Sequence, residues 1–69
     1  MSEFSEATLN LNSAWGDMCN AEHALAAAVA AMKEGNTTEM KWMMQEAGAF
    51  AELAVKKIKW ILLIGEKSA

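Results

Sequence analysis

The chain has 69 residues, enough for one small domain, and 54% of them are apolar, which excludes a disordered tail. It contains no proline and four glycines, while alanine, methionine, leucine, glutamate and lysine dominate; these are good helix formers, so the composition favours an all-α protein. The net charge is −3. Because nucleic-acid binding needs a basic face, this charge argues against nucleic acid as a partner.

The segment of residues 1–6 is acidic, whereas a secretory signal starts basic and continues apolar. The longest uninterrupted apolar run, from Ala24 to Met32, is nine residues, and a membrane span needs about 20. The single cysteine, Cys19, cannot close a disulfide within the chain and fits a reducing compartment. We therefore expect a cytoplasmic protein.

A first helix is predicted over about residues 3–34. Large apolar residues recur every seven positions, and alanines recur three positions after them: Phe4, Leu11, Met18, Leu25 and Met32, then Ala7, Ala14, Ala21 and Ala28. This large–alanine heptad predicts coiled-coil-like packing in which two helices approach closely. Polar residues and a glycine between Asn10 and Asn20 disfavour a helix interior, so we expect a break, kink or fraying over residues 10–16.

A turn is predicted over residues 35–37. Gly35 can adopt the left-handed conformation that ends many helices, and Asn36 or Thr37 can cap the helix that follows. Asn36 with Glu39 three residues later resembles a capping box.

A second helix is predicted over about residues 38–64, with Gly65 ending it. Its heptad rows are Met40, Ala47, Ala54 and Ile61; Met43, Phe50 and Ile64, interrupted by Lys57; and Met44, Ala51 and Ile58. Because a short turn makes neighbouring helices antiparallel, residues 1–69 are predicted to form one all-α domain, an antiparallel two-helix hairpin with alanine-rich, coiled-coil-like packing.

Several large apolar residues lie outside these heptad rows. A chain this short is marginal alone, and a helix that is apolar on more than one side is normally buried on more than one side. We therefore expect dimerisation or a partner chain to complete the fold. Tryptophan is enriched at interface hot spots, and the predicted partner-binding residues are Trp15, Trp42, Val55, Trp60, Leu62 and Leu63.

Three groups of residues suggest chemistry, and each has a simpler explanation. Cys19 and His23 share a helix face, but zinc needs further ligands and a nucleophile needs an oxyanion hole. The methionines of residues 40–44 could bind Cu(I), yet their spacing also suits a core stripe. The lysines of residues 56–59 beside Trp60 suit a membrane surface, but they are few. We predict no enzyme activity, no cofactor and no metal site, and membrane association is disfavoured.

Residues 21–64 resemble the small E-type co-chaperones of the type III secretion needle. The segments that carry the resemblance are Ala24-Leu25, Gly35-Asn36-Thr37-Thr38-Glu39-Met40, Gln45-Glu46-Ala47 and Ala49-Phe50-Ala51-Glu52, with a branched apolar tail at Val55, Ile58 and Ile61. Those proteins are cytoplasmic α-hairpins of similar length.

The resemblance implies a larger chaperone of helical-repeat type as partner. Together, the two proteins would hold the needle subunit as a soluble monomer before export by covering its apolar helix surface. The alternative is a homodimeric four-helix bundle that acts as an adaptor or regulator.

Overall fold

Two long helices and the turn between them make up residues 2–68: α1 spans Ser2–Lys33 and α2 spans Thr37–Ser68. The computed structural model describes the backbone of residues 2–68 and the side chains of residues 6–64. The helices pack against each other in a molecule 51 Å long, 15 Å wide and 11 Å thick. A helix of 32 residues measures about 48 Å, so each helix runs the length of the molecule. The predicted all-α hairpin is confirmed.

The turn between the helices follows directly from Gly35 and Asn36. Gly35 has a φ of 76°, and its N–H donates to the carbonyl of Met32 at 3.0 Å. The N–H of Asn36 donates to the carbonyl of Ala31 at 2.9 Å, which completes a Schellman motif. The carboxamide oxygen of Asn36 accepts the N–H of Glu39 at 3.1 Å and so caps α2. The predicted capping box therefore forms only in part. Asn36 Oδ1 accepts the N–H of Glu39, but the N–H of Asn36 donates to the carbonyl of Ala31 rather than to the side chain of Glu39.

The first helix is continuous through residues 10–16, so the expected break there is wrong. The side chain of Asn10 donates from Nδ2 to the carbonyl of Glu6 at 2.9 Å, one turn earlier. The hydroxyl of Ser13 and the carboxylate of Asp17 both contact Lys57 on the other helix. These polar side chains find partners without leaving the helix, and the tertiary contact outweighs their weak helix propensity.

The second helix continues past Gly65 to Ser68, so the expected end at Gly65 is also wrong. Glycine permits the left-handed conformation of a helix terminus without imposing it. Gly35 differs because the following Asn36 caps a second helix there.

The most deeply buried positions of the seam between the helices carry small residues. Among residues 6–64, every buried side chain belongs to an alanine: Ala14, Ala24, Ala28, Ala31, Ala47 and Ala54. Alanines at the contact let two helix backbones approach closely. On α1 the seam combines two heptad rows: Ala7, Ala14, Ala21 and Ala28 with Asn10, Asp17, Ala24 and Ala31.

The row of large residues on α1 lies beside this seam rather than in it. Leu11, Met18, Leu25 and Met32 remain 48–59% exposed, so the prediction that they pack into the hairpin is wrong for them; the side chain of Phe4 lies outside the described residues. The two small-residue rows of α1 occupy its contact with α2, which leaves the large row of α1 at the side. On α2 the predicted rows do form the seam: Ala47 and Ala54 are buried, and Met40, Met43, Phe50, Ile61 and Ile64 are partly buried.

An ion pair occupies the seam where Lys57 interrupts the apolar row. Lys57 Nζ lies 2.7 Å from Asp17 Oδ2 and 2.6 Å from Ser13 Oγ. Asp17 is the more deeply buried partner, with 13% of its side chain exposed against 29% for Lys57. Asp17 and Lys57 therefore each lie at a seam position of their own helix, and their opposite charges neutralise each other.

Candidate protein-binding surface

One broad side of the hairpin carries six of the fifteen exposed large apolar side chains described within residues 6–64, in the rows next to the seam, and we call it the apolar face. On α1 it consists of the large-residue row, and on α2 it consists of the row that begins with Met44. The residues of the apolar face are Leu11, Met18, Leu25 and Met32 with Met44, Ala51 and Ile58.

An open groove of about 580 Å³ runs along the middle of this face. Its α1 side is lined by Met18, Ala21, Glu22 and Leu25, and its α2 side by Met44, Ala47, Gly48 and Ala51. On α1 the large members of this lining are Met18 and Leu25. On α2 Met44 is large, whereas the other members are alanine and glycine. Glu22 is the charged member of this lining.

A second groove of about 320 Å³ continues the apolar face towards the open end of the hairpin. Its lining comprises Leu11, Asn12, Ala14, Trp15, Met18 and Ile58. Because Met18 lines both grooves, the two form one apolar strip along the molecule.

The floor of the central groove is open above Gly48. A Cβ atom built at Gly48 meets no other atom within 4 Å. Glycine inside a helix is less favourable than alanine by roughly 1 kcal/mol, and the fold of the single chain offers no steric reason for it at this position. A glycine of this kind allows another molecule to approach the helix backbone.

The predicted partner-binding residues are all exposed, and the structure distributes them around the molecule. Trp15 is 70% exposed and lines the second groove of the apolar face. Val55 and Leu62 follow Gly48 at heptad spacing along α2 and extend the same side. Trp60 lies about 140° around α2 from Val55.

Trp42 and Leu63 share a further row of α2, three heptads apart. The six predicted residues therefore do not form one patch: three border the apolar face, and Trp42, Trp60 and Leu63 lie elsewhere on α2.

The residues with candidate chemistry are not organised into a site. Cys19 and His23 are both exposed on α1. No group of three or more histidine, cysteine, aspartate or glutamate side chains lies close enough to hold a metal ion within residues 6–64. Met40 and Met43 take part in the seam, which agrees with the packing interpretation, whereas Met44 is exposed and faces the groove.

The comparisons with known proteins identify no relative. No protein-family model matches the chain, and neither a curated protein nor a solved structure shows significant similarity to it. Over the residues that the structure describes, neither helix contains a stretch both long and apolar enough to cross a bilayer.

The central residues of the apolar face lie outside the predicted partner contacts. The heptad spacing of Met18, Leu25 and Met44 suits a seam and therefore predicts them within the hairpin. A signal was present in the second alanine row, Ala24 and Ala31, which continues Asn10 and Asp17 at the same spacing. Two adjacent rows of small or polar residues complete a seam by themselves and leave the large row outside it.

Proposed function

We propose that the chain is a non-enzymatic, protein-binding co-chaperone in the cytoplasm. Together with a larger helical-repeat chaperone, it keeps a type III secretion needle subunit soluble and monomeric before export. The partner-binding step is supported by the structure of the apolar face, and the type of partner is supported by the resemblance of residues 21–64 to the E-type co-chaperones.

One observation carries the binding role: every buried side chain within residues 6–64 is an alanine, while fifteen large apolar side chains are exposed. Each buried CH₂ or CH₃ group contributes about 0.8 kcal/mol, so an alanine seam stabilises far less than a leucine seam of equal length. Extended apolar surface on a small protein usually marks a contact with another molecule.

The mechanism is occlusion by helix packing. The groove between Met18 and Leu25 of α1 and Met44, Gly48 and Ala51 of α2 forms a trough in which a helix of the partner lies. Binding removes apolar surface from water on both molecules. A needle subunit whose own apolar helix face is covered in the complex has no free face with which to polymerise.

The test is co-expression of this chain with the needle subunit and the larger chaperone of the same secretion system. A tag on this chain should recover a soluble complex, and the needle subunit in it should not sediment as filaments. Leu25→Glu should abolish the complex because it puts a charge on the apolar face. Its matched control, Ala27→Glu, adds the same charge at an exposed position of α1 outside that face and should leave the complex intact.

Two results would contradict the proposal. One is filament formation by the needle subunit at the same rate with and without this chain. The other is a complex that survives Leu25→Glu as well as it survives Ala27→Glu.

A further inference from the structure

We infer that the central groove of the apolar face is an oxidation-sensitive binding site. A peroxide converts Met18 and Met44 to methionine sulfoxide, and the groove then no longer binds an apolar partner. Reduction of the two sulfoxides restores binding. This inference rests on the proposed function insofar as both place the partner in this groove, and it adds a chemical condition under which the partner does not bind.

The five methionines within residues 6–64 differ in their access to solvent. Met18, Met32 and Met44 are 48%, 57% and 53% exposed. Met40 and Met43 are partly buried in the seam. Because a peroxide must reach the thioether sulfur, the three exposed methionines should react before the two seam methionines.

The central groove contains two of the exposed methionines, one from each helix. Met18 of α1 and Met44 of α2 both line it, and Met18 also lines the second groove. Leu25 is the third large apolar side chain of the central lining, and Met32 lines neither groove. Two of the three large apolar side chains that a partner meets in the central groove are therefore oxidisable.

The oxidation step balances with hydrogen peroxide or an alkyl hydroperoxide as the oxidant. A lone pair of the thioether sulfur attacks one oxygen of the peroxide, the O–O bond breaks, and an S–O bond forms. The other oxygen takes up the proton of the transferred oxygen and leaves as water or an alcohol. In the reverse step, a dithiol-dependent reductase removes the sulfoxide oxygen as water while the dithiol is oxidised to a disulfide.

A sulfoxide in this groove has no hydrogen-bond donor to pair with once water is excluded. Its polar oxygen is an acceptor, and the side chains of the lining are apolar except for Glu22. An ionised carboxylate also only accepts hydrogen bonds. An apolar partner that covers the groove would therefore bury an unpaired sulfoxide oxygen, which disfavours the complex.

The hairpin itself should tolerate the oxidation. The fully buried seam positions are alanines, whereas Met18 and Met44 are each about half exposed in the single chain. Water can therefore hydrate the added oxygens while the two helices remain packed. The oxidation changes binding and leaves folding intact.

The first experiment measures which methionines react. The folded chain is studied in a Cys19→Ser background, because Cys19 is exposed and its thiol also reacts with peroxide. Samples taken during hydrogen peroxide treatment are analysed by fragmentation mass spectrometry. Met18 and Met44 should each gain one oxygen several times faster than Met40 and Met43. Circular dichroism should show unchanged helix content.

The second experiment uses the neutral dye Nile red as an apolar probe of the groove. Leu25→Glu should remove most of the dye binding and Ala27→Glu should not, which locates the dye on the apolar face. Oxidation should raise the dissociation constant of the dye by about tenfold or more, because the bound dye leaves the sulfoxides unpaired. Treatment with methionine sulfoxide reductases and dithiothreitol should restore the original constant.

Matched variants assign the effect to two sulfur atoms. The Met18→Leu, Met44→Leu chain keeps an apolar groove without sulfur, so it should bind the dye and keep its affinity after peroxide treatment. The Met40→Leu, Met43→Leu chain and the Met32→Leu chain retain both groove methionines. Both chains should lose dye affinity on oxidation as the parent chain does.

Three results would overturn the inference: no dye binding before oxidation, faster reaction of the seam methionines than of Met18 and Met44, or an equal loss of affinity in the Met18→Leu, Met44→Leu chain. Failure of the proposed function gives a different result. Oxidation-sensitive dye binding combined with no effect on needle polymerisation retains the inference and removes the co-chaperone role. A needle-subunit complex that forms equally well with the oxidised chain retains the role and overturns the inference.

Discussion

Two neighbouring rows of α1 differ in burial. Ala14 and Ala28 are buried against α2, while Leu11 and Leu25, each three residues earlier in the same heptads, remain more than half exposed. Both rows have the same period, and the residues of the exposed row are the more hydrophobic. On α1, therefore, the row with the smaller side chains forms the seam, and the more hydrophobic row does not.

The physical reason lies in the distance between the helices. An alanine seam lets the backbones come close, which gives many weak dispersion contacts. The short turn also requires the two helices to lie close together. The large row of α1 then lies beside the seam, while large seam residues of α2 such as Phe50 and Ile61 are only partly buried. The arrangement stabilises the single chain modestly and leaves its largest apolar groups for another molecule.

The comparison predicts its largest effect at the centre of the seam. Ala54 is fully buried, so Ala54→Leu should force the helices apart and cost about 2–3 kcal/mol of the free energy of unfolding. Ala49→Leu, at an exposed position of the same helix, should change it by less than about 0.5 kcal/mol. Chemical denaturation followed by circular dichroism at matched protein concentration measures both; equal effects would remove the size argument.

The polar contact in the seam should have the next largest effect. Lys57→Met leaves the partly buried carboxylate of Asp17 without its cation, which should destabilise the hairpin by about 1–2 kcal/mol. Adding Asp17→Ala should recover most of this loss, because the seam is then apolar on both helices. A double-mutant cycle of unfolding free energies checks this, and simple additivity of the two changes would show that the pair is not coupled.

The extent of the partner surface beyond the apolar face can be tested at Trp60. If this residue is a binding hot spot, Trp60→Ala should weaken partner binding by more than about 1 kcal/mol. Titration calorimetry with the purified partner measures the change. An unaltered affinity would confine the contact to the side of α2 that carries Gly48 and Val55.

The turn determines which heptad rows of α1 and α2 face each other. A substitution of its glycine tests the turn without changing the seam or the apolar face. With a φ of 76°, Gly35 occupies a conformation in which a Cβ costs about 1 kcal/mol, so Gly35→Ala should lower the free energy of unfolding by that amount. Gly35→Asn should cost less because asparagine tolerates this region better. Thermal melts of the two variants give the ranking, and the reverse order would argue against the Schellman turn.

The smallest effect on the hairpin is expected at the large row itself. In dilute solution without a partner, Leu25→Ala should change the free energy of unfolding by less than about 0.5 kcal/mol, since most of the side chain already contacts water. The same substitution should weaken the complex with the partner protein. A large loss of stability in the monomer would mean that Leu25 belongs to the hairpin core after all.

The helices and the turn were predictable because their determinants are local. Gly35 and Asn36 determine the turn through φ and a capping bond, which act within five residues. The polar segment around Asn10 and Asp17 was not predictable in this way. Its weak helix propensity is offset by Lys57, 40 residues away from Asp17 along the chain.

The candidate protein-binding surface was likewise predictable only in part. Tryptophan, valine and leucine off the heptad stripes correctly indicated that apolar surface remains exposed, and Trp15 does line the apolar face. The centre of that face at Met18, Leu25 and Met44 required the structure. Heptad spacing identifies rows that face a neighbour, and it does not distinguish a neighbour in the same chain from one in another.

The sequence by itself determined two helices, the turn that joins them, their antiparallel arrangement and an excess of apolar surface, because these depend on local propensity, period and composition. Only the tertiary structure decided that the alanine rows make the seam, that Asp17 and Lys57 pair within it, and that the large row lies open beside Gly48. Those choices depend on how closely two helices approach, and that distance is set by all of the contacts along the seam together.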